Sequence, residues 1–407
     1  MITTELISQQ EDKRELPDGW RWVKLGDVCE IVMGQSPVGT SYNSLGKGEP
    51  LLNGPSEFGS VHPTPVQWTT DPTRFAEPED ILFCVRGATT GRKNIADQRY
   101  CIGRGLAAIR GKSGQAINEF LFFLLDAVTS TLLRETAGST FPNLPGEKLE
   151  RFKILLPPFD EQKRIAAILN EQMEAVERSR QATLAQLEAA IALPAAYLRA
   201  VFNSPEAQKW ERKQLGELAQ FKNGINFTGD QKGQGTLTVD VLNMYSDSVY
   251  IQMDKLYRVD IRISDEYLLH PQDILFVRSS VKEEGVAWSA CFSEYTEPIT
   301  FCGFLIRARL IEANIHPEFL IYYLRQDSLR SLLISKSGRG TITNINQENL
   351  KTVTVPTPPL AVQKRITATL TEQLAEVEHL QKSLKYQLDA INKLPATLLR
   401  RAFNGEL

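Results

Sequence analysis

The stretch Pro157–Asn203, PPFDEQKRIAAILNEQMEAVERSRQATLAQLEAAIALPAAYLRAVFN, lies without a gap on Pro358–Asn404, PPLAVQKRITATLTEQLAEVEHLQKSLKYQLDAINKLPATLLRRAFN, at an offset of 201 residues. Of the 47 pairs, 22 are identical, including Gln162-Lys163-Arg164-Ile165 against Gln363-Lys364-Arg365-Ile366, so the chain contains an internal duplication. Each copy reads as one long helix: the Pro-Pro pair fixes an extended entry, and good helix formers follow up to Leu193 or Leu394 with no glycine or proline between. Leu370, Val377, Leu384 and Ile391 recur every seven residues, with Leu374 and Leu388 between them, and Leu169, Val176, Thr183, Ala190, Met173 and Leu187 keep the same register in the first copy. This is the apolar seam of a coiled coil. Arg180 and Gln381 interrupt the seam at matching places, as register-setting polar residues do. Counted from Asp160 to about Leu193, each helix is roughly 50 Å long at 1.5 Å per residue. Two equal rods with matching seams are expected to pair antiparallel, with a globular domain at each end and pseudo-two-fold symmetry.

Working outward, weaker echoes precede each copy. Leu25-Gly26 matches Leu215-Gly216, Asp80-Ile-Leu-Phe matches Asp273-Ile-Leu-Phe, and Glu119-Phe120-Leu121 matches Glu318-Phe319-Leu320. Their offsets drift, so the two halves share a skeleton and differ in their loops. Short β-rich runs at Ile81 to Val85, Cys101 to Ile109, Thr236 to Leu242, Ile274 to Val277 and Phe301 to Arg307 are bounded by Gly, Pro and Asn, and one apolar helix is expected in each half, Phe120 to Leu133 and Phe319 to Leu333. The expected fold is mixed α/β (α+β), each β-rich domain being followed by a long helix. The expected boundaries are a tail over residues 1–16, domains over 17–156 and 209–357, and helical spacers over 157–208 and 358–407.

Composition bounds the function. With 407 residues, 42% hydrophobic and 23% charged, the chain is an ordinary globular one, long enough for two domains. The longest apolar run, Phe120 to Leu125, falls far short of the ~20 residues of a membrane span, and acidic Met1 to Leu16 makes no secretory signal, so a cytoplasmic protein without a membrane partner is expected. Five cysteines and four histidines are scattered without ligand spacing, so no metal is expected. A net charge of −3 excludes a uniformly basic nucleic-acid coat and confines any DNA contact to local patches.

A β-rich half leading through Pro-Pro-x-x-x-Gln-x-Arg-Ile into a heptad helix, repeated twice, resembles the specificity subunits of type I restriction-modification enzymes, over nearly the whole chain. The resemblance implies two target recognition domains on double-stranded DNA, each reading half of a split, asymmetric site. It also implies helices that space them and dock two methylation subunits and the restriction subunits. No cofactor is implied in this chain; S-adenosylmethionine, and ATP with Mg²⁺ for restriction, belong to the partners. One departure is Ala361-Val362 where the first copy has Asp160-Glu161, which argues against a strictly symmetric partner contact.

Seven cations stand against the single acid Asp97 between Ile81 and Gln115. There Arg86, Thr89, Thr90, Arg92, Lys93 and Asn94 form a glycine-interleaved loop suited to phosphates and base edges, with Arg104 nearby and Asn143 downstream. The second domain offers Arg278, matched with Arg86 as a strand-exit cation, with Ser279 and Lys282. Lys222, Asn223, Asn226, Arg339, Thr341 and Asn344 are further candidates, Asn344 pairing with Asn143 at the 201 offset. Gln162, Lys163 and Arg164 with Gln363, Lys364 and Arg365 head the helices and are candidates for partner docking, since cations at a helix N-terminus oppose its dipole.

No catalytic centre is expected. Leu156-Pro157-Pro158-Phe159 lacks the Asn, Asp or Ser that an amino-methyltransferase places before Pro-Pro-aromatic. Glu161-Gln162-Lys163 has no upstream Pro-Asp for a nuclease, and Gly105 to Ser113 is mis-spaced for a phosphate loop. Two alternatives share the periodicity: a two-headed coiled-coil scaffold that binds no DNA, and the specificity component of a methylation-only or fused restriction system.

Overall fold

The computed structural model describes residues 16–134, 143–246, 248–338 and 342–407. The chain divides into two compact units, one comprising Met1–Leu184 and Tyr386–Leu407 and the other Ala185–Lys385.

In the first unit an antiparallel sheet runs in the order Cys29–Met33, Leu106–Gly111, Ile81–Cys84, Lys93–Ile95. The strand Ile81–Cys84 is apolar throughout because both its faces are covered. Ile81 and Phe83 pack with the helix Asn118–Arg134, while Leu82 and Cys84 pack against Leu52, Tyr100 and Ile102 of a second, five-stranded sheet. That second sheet contains a parallel pairing, Leu51 on Cys101. The second unit repeats the four-stranded order with Ala219–Asn223, Leu305–Leu310, Ile274–Val277 and Ser289–Cys291, and its three-stranded companion also has a parallel pair, Leu237 on Ile299.

The runs Cys101 to Ile109 and Phe301 to Arg307, read as single strands, are each broken by a turn. The strands are Tyr100–Ile102 and Leu106–Gly111 in one unit, Ile299–Phe301 and Leu305–Leu310 in the other. Gly103 makes the first turn possible, since a Cβ there would lie 2.4 Å from Asn53 Oδ1. Similarly, Thr236 to Leu242 is strand only as far as Val239, within Lys232–Val239, and then turns into a 3₁₀ segment. Phe319 to Leu333 is two helices, Pro317–Leu324 and Asp327–Ser335. The break is held by Gln326, extended and buried, and by Arg325, whose guanidinium donates to Ser289 O at 2.9 Å.

The long helices run Phe159–Phe202 and Leu360–Phe403, nine residues past the expected ends at Leu193 and Leu394. At 1.5 Å per residue each measures about 66 Å. Pro194 and Pro395 therefore lie inside helices. A proline withdraws the N–H that would reach the carbonyl four residues back. For Pro194 that carbonyl is Ala190 O, and Gln381 Nε2 from the neighbouring helix donates to it at 3.0 Å, so the polar break in the second seam supplies the missing bond. Its counterpart Arg180 instead pairs with Glu177 at 2.7 Å.

Beyond the prolines, tertiary packing holds the last turns. Phe202 lies 5.4 Å edge-on to Phe319, and Phe403 5.4 Å from Phe120. Burial of such a ring is worth roughly 1.5–3 kcal/mol. Within the first unit Ile165 and Leu169 share a core with Leu399 and Phe403, and within the second Leu370 shares one with Leu198 and Phe202, the antiparallel order in each case. The seam residues Leu370, Val377, Leu384 and Ile391 are buried. One window of the first long helix, at a mean hydropathy of 1.2, meets the length and composition of a membrane span, contrary to the sequence expectation; only 11% of that window is buried.

Candidate nucleic-acid interface

The same hydrogen-bonded frame closes around the exit of the central strand in both units. In the first, Val85 N–H donates to Gly105 O, Leu144 N–H to Val85 O and Gly91 N–H to Cys84 O, each at 2.9 Å. In the second, Arg278 N–H donates to Phe304 O at 2.7 Å, Ile345 N–H to Arg278 O at 2.9 Å and Ala287 N–H to Val277 O at 2.7 Å. At the strand's entry the buried Asp80 accepts from Glu77 N–H and from Arg110 at 2.6 Å, and Asp273 from His270 N–H and Arg309 at 2.7 Å. Burial pushes the Asp80 carboxyl up, against the pull of Arg110 beside it. The repeated Asp-Ile-Leu-Phe is thus a scaffold.

This frame corrects the match between Arg86 and Arg278. Arg278 is equivalent to Val85, and Arg86 to Ser279: Arg86 bridges Asn143 where Ser279 pairs with Asn344. One residue of slip turns a strand side chain to the opposite face, and only Arg86 is exposed; Arg278 is half-buried, 3.4 Å from Gly303 O.

The seven-cation patch is also largely neutralised. Lys93 pairs with Asp126 at 2.8 Å and lies 3.0 Å from the centre of the Phe122 ring, with 6% of its side chain exposed, and burial brings its ammonium down to about 8. Arg99 pairs with Glu77 and stacks on Phe75, Arg110 is held by Asp80, and Lys112 donates to the carbonyls of Gly26 and Asp27. Asn94 is buried and donates to Gly59 O. Lys93 and Asn94 are therefore removed from the set of DNA contacts, because the strand Lys93–Ile95 turns both inward. Arg86, Arg92 and Arg104 remain exposed with no side-chain partner among the described residues, and exposed Asn143 lies beside Arg86. Gly91, at φ +96°, lets the loop close against Thr129, whose Cγ2 would sit 2.4 Å from an added Cβ. Thr90 Oγ1 donates to Gly87 O and Thr89 Oγ1 contacts Cys84 Sγ at 3.6 Å, so both hydroxyls brace the loop.

In the second unit Lys282 is exposed, and the Ser279 hydroxyl donates to Asn344 Oδ1 at 2.5 Å. Lys222 is paired with Glu266 and lies over Tyr267, which weakens its case as a DNA contact, whereas Asn223 is half-buried and Asn226 exposed. Arg339 and Thr341 lie outside the described residues. Sequence reasoning missed the exposed apolar side chains Leu242, Phe304 and Ile342 around this strand exit, which no motif marks.

The profile of the type I restriction modification DNA specificity domain matches residues 17–189 and 207–388. The chain belongs to this family. The specificity subunit is 40% identical over 168 residues to a putative type I restriction enzyme MjaX specificity subunit of Methanocaldococcus jannaschii, a match covering 41% of this chain and 39% of that one. It is 22% identical to the type I restriction enzyme StySPI specificity subunit of Salmonella potsdam over 97% of this chain and 91% of that one. Its fold matches the crystal structure of the HsdS subunit from Thermoanaerobacter tengcongensis at a TM-score of 0.68 and 23% identity, covering 97% and 99% of the two chains. Such a subunit supplies DNA sequence specificity and is not itself catalytic.

Two candidate docking residues of the specificity subunit are corrected. Gln162 and Gln363 are buried, and each clamps its Pro-Pro entry to the loop ahead of the helix that begins at Asn118 or at Pro317. Gln162 Nε2 donates to Gln115 O and Pro157 O while its Oε1 accepts from Ile117 N–H. Gln363 does the same with Asn314 O, Pro358 O and His316 N–H. Lys163 and Arg164 are tied to Asp160 and Glu161, and Arg164 also donates to Leu407 O. Lys364 and Arg365, lacking those acids nearby, are exposed.

Proposed function

We propose that this specificity subunit reads a bipartite, asymmetric duplex site, the domain over 17–156 taking one half and the domain over 209–357 the other. The observation that carries it is one closed frame holding chemically unlike loops: Arg86, Arg92 and Arg104 around one strand exit, Ser279, Lys282 and Asn344 around the other. Arginine is suited to bidentate contact with guanine O6 and N7, and lysine to phosphate. The helical spacers, 157–208 and 358–407, set the number of base pairs between the halves. Exposed Lys163, Lys364 and Arg365 are the docking candidates for two methylation subunits, which bring S-adenosylmethionine; restriction subunits, where present, bring ATP and Mg²⁺. The complex acts in the cytoplasm, without a membrane partner.

The deciding test is methylation mapping of genomic DNA from a methylation-free host that co-expresses this chain with its methylation subunit. A split, asymmetric motif carrying methyladenine is expected. No motif at all from an assembled complex supplied with methyl donor would refute the proposal.

A further inference from the structure

At the positions equivalent to the first unit's exposed Arg86 and Arg104, the second carries no cation. Ser279 stands for Arg86, Gly303 for Arg104 and Phe304 for Gly105, in the register fixed by the equivalent backbone bonds. Around this exit opens a cavity of about 880 Å³, lined among others by Leu242, Val281, Phe304 and Ile342. These four side chains are 79%, 82%, 57% and 47% exposed, which leaves a concentrated apolar surface in water. Ser279, Ser280 and Lys282 line the same cavity, so it is continuous with the candidate reading surface. Asp240, at the cavity edge, has its carboxylate engaged with Val241 N–H and Cys302 Sγ.

We infer that this patch reads its half-site through the C5-methyl groups of thymine. The step rests on the recognition reading above and goes beyond it by naming the base chemistry. Among the four base pairs, the thymine methyl is the apolar feature of the major-groove edge. Leu242, Val281, Phe304 and Ile342 match it; Lys282 takes a neighbouring phosphate, and the Ser280 hydroxyl, which accepts from the Tyr245 hydroxyl, donates to a base-edge acceptor. A guanine-reading arginine is absent from the equivalent positions.

The test uses the complex of the full chain with its methylation subunit and duplexes carrying the mapped motif. Thymines of the motif are replaced singly by deoxyuridine, which removes the methyl group and nothing else. R86Q identifies the half read by the first domain, so the other half belongs to the patch. Loss of about fourfold in affinity per contacted methyl is expected at one or more thymines of that second half. V281N, a polar change of similar size on a solvent-exposed loop, removes both γ-methyls and should shrink the thymine-over-uracil preference at its position toward unity. Uracil tolerated at every thymine of that half, with the duplex still bound, overturns the inference and leaves bipartite recognition standing. So does a second half without thymine, or a V281N complex that assembles and binds with its thymine-over-uracil preference intact at every position. A complex that binds no split duplex removes the recognition reading and this inference together.

Discussion

Gln363→Leu separates a structural clamp from a docking residue. Leucine fills nearly the volume of the carboxamide, so the change leaves packing largely alone and removes three hydrogen bonds: to Asn314 O at 2.9 Å, to Pro358 O at 2.7 Å and from His316 N–H at 2.8 Å. The Pro358 contact is fully buried and the other two partly so, which favours the lower end of the ~1–3 kcal/mol that each stranded group costs. The total is about 3 kcal/mol. In a domain of this size that corresponds to a Tm lower by roughly 6–12 °C. Scanning calorimetry of the purified chain, with Lys364→Ala as the exposed control, reads the difference directly. An unchanged Tm in Gln363→Leu, coupled with failure to co-purify with the methylation subunit, would refute the clamp and restore the docking role.

Arg86→Gln or Arg92→Gln should relax recognition in one half-site only, by the ~1–3 kcal/mol of a bidentate base contact, as competition binding with singly altered duplexes would register; equal losses in both halves would contradict the two-reader arrangement. Lys93 sits at about 8 in the folded chain against 10.5 for the ordinary side chain. Between those values the unfolded chain binds more protons, so stability rises as pH climbs from about 8 to 10.5 and the charged form is the costly one below it. Urea midpoints across that window should rise in the native protein and flatten in Lys93→Met; identical slopes would dismiss the buried ammonium as the cause. Inserting seven residues at matching points of both long helices keeps the seam in register and adds about 10.5 Å, or roughly three base pairs at 3.4 Å each. Methylation mapping that returns the original spacer would remove the helices as its ruler.

The duplication and the seam were legible in the sequence because they rest on periodicity, which survives any loop change. The central strands were legible as apolar runs, since both faces of Ile81–Cys84 and Ile274–Val277 are covered. What failed was whatever depends on direction. Arg86 and Arg278 look alike as letters and differ by one position in the frame, which a strand converts into opposite faces. Lys93 and Asn94 add positive charge and polarity to a loop on paper, but the pairing of Lys93–Ile95 with Ile81–Cys84 turns them inward. Gln162 and Gln363 repeat because a buried carboxamide satisfies three backbone groups, a reason indistinguishable in sequence from partner docking. The proline after Leu193 read as a stop because the donor for Ala190 O comes from a residue 191 positions away.

The closing bonds also bear on how recognition can change over evolutionary time. Between Cys84 and Gly91 the chain spends six residues, 85–90; between Val277 and Ala287 it spends nine, 278–286, and the same strand is closed in both cases. By the logarithmic law of loop closure, that enlargement costs only about 0.4 kcal/mol. Lineages can therefore lengthen, shorten or rewrite the tip with almost no penalty in folding, and natural selection can explore new target sequences without first having to repair the protein that carries them.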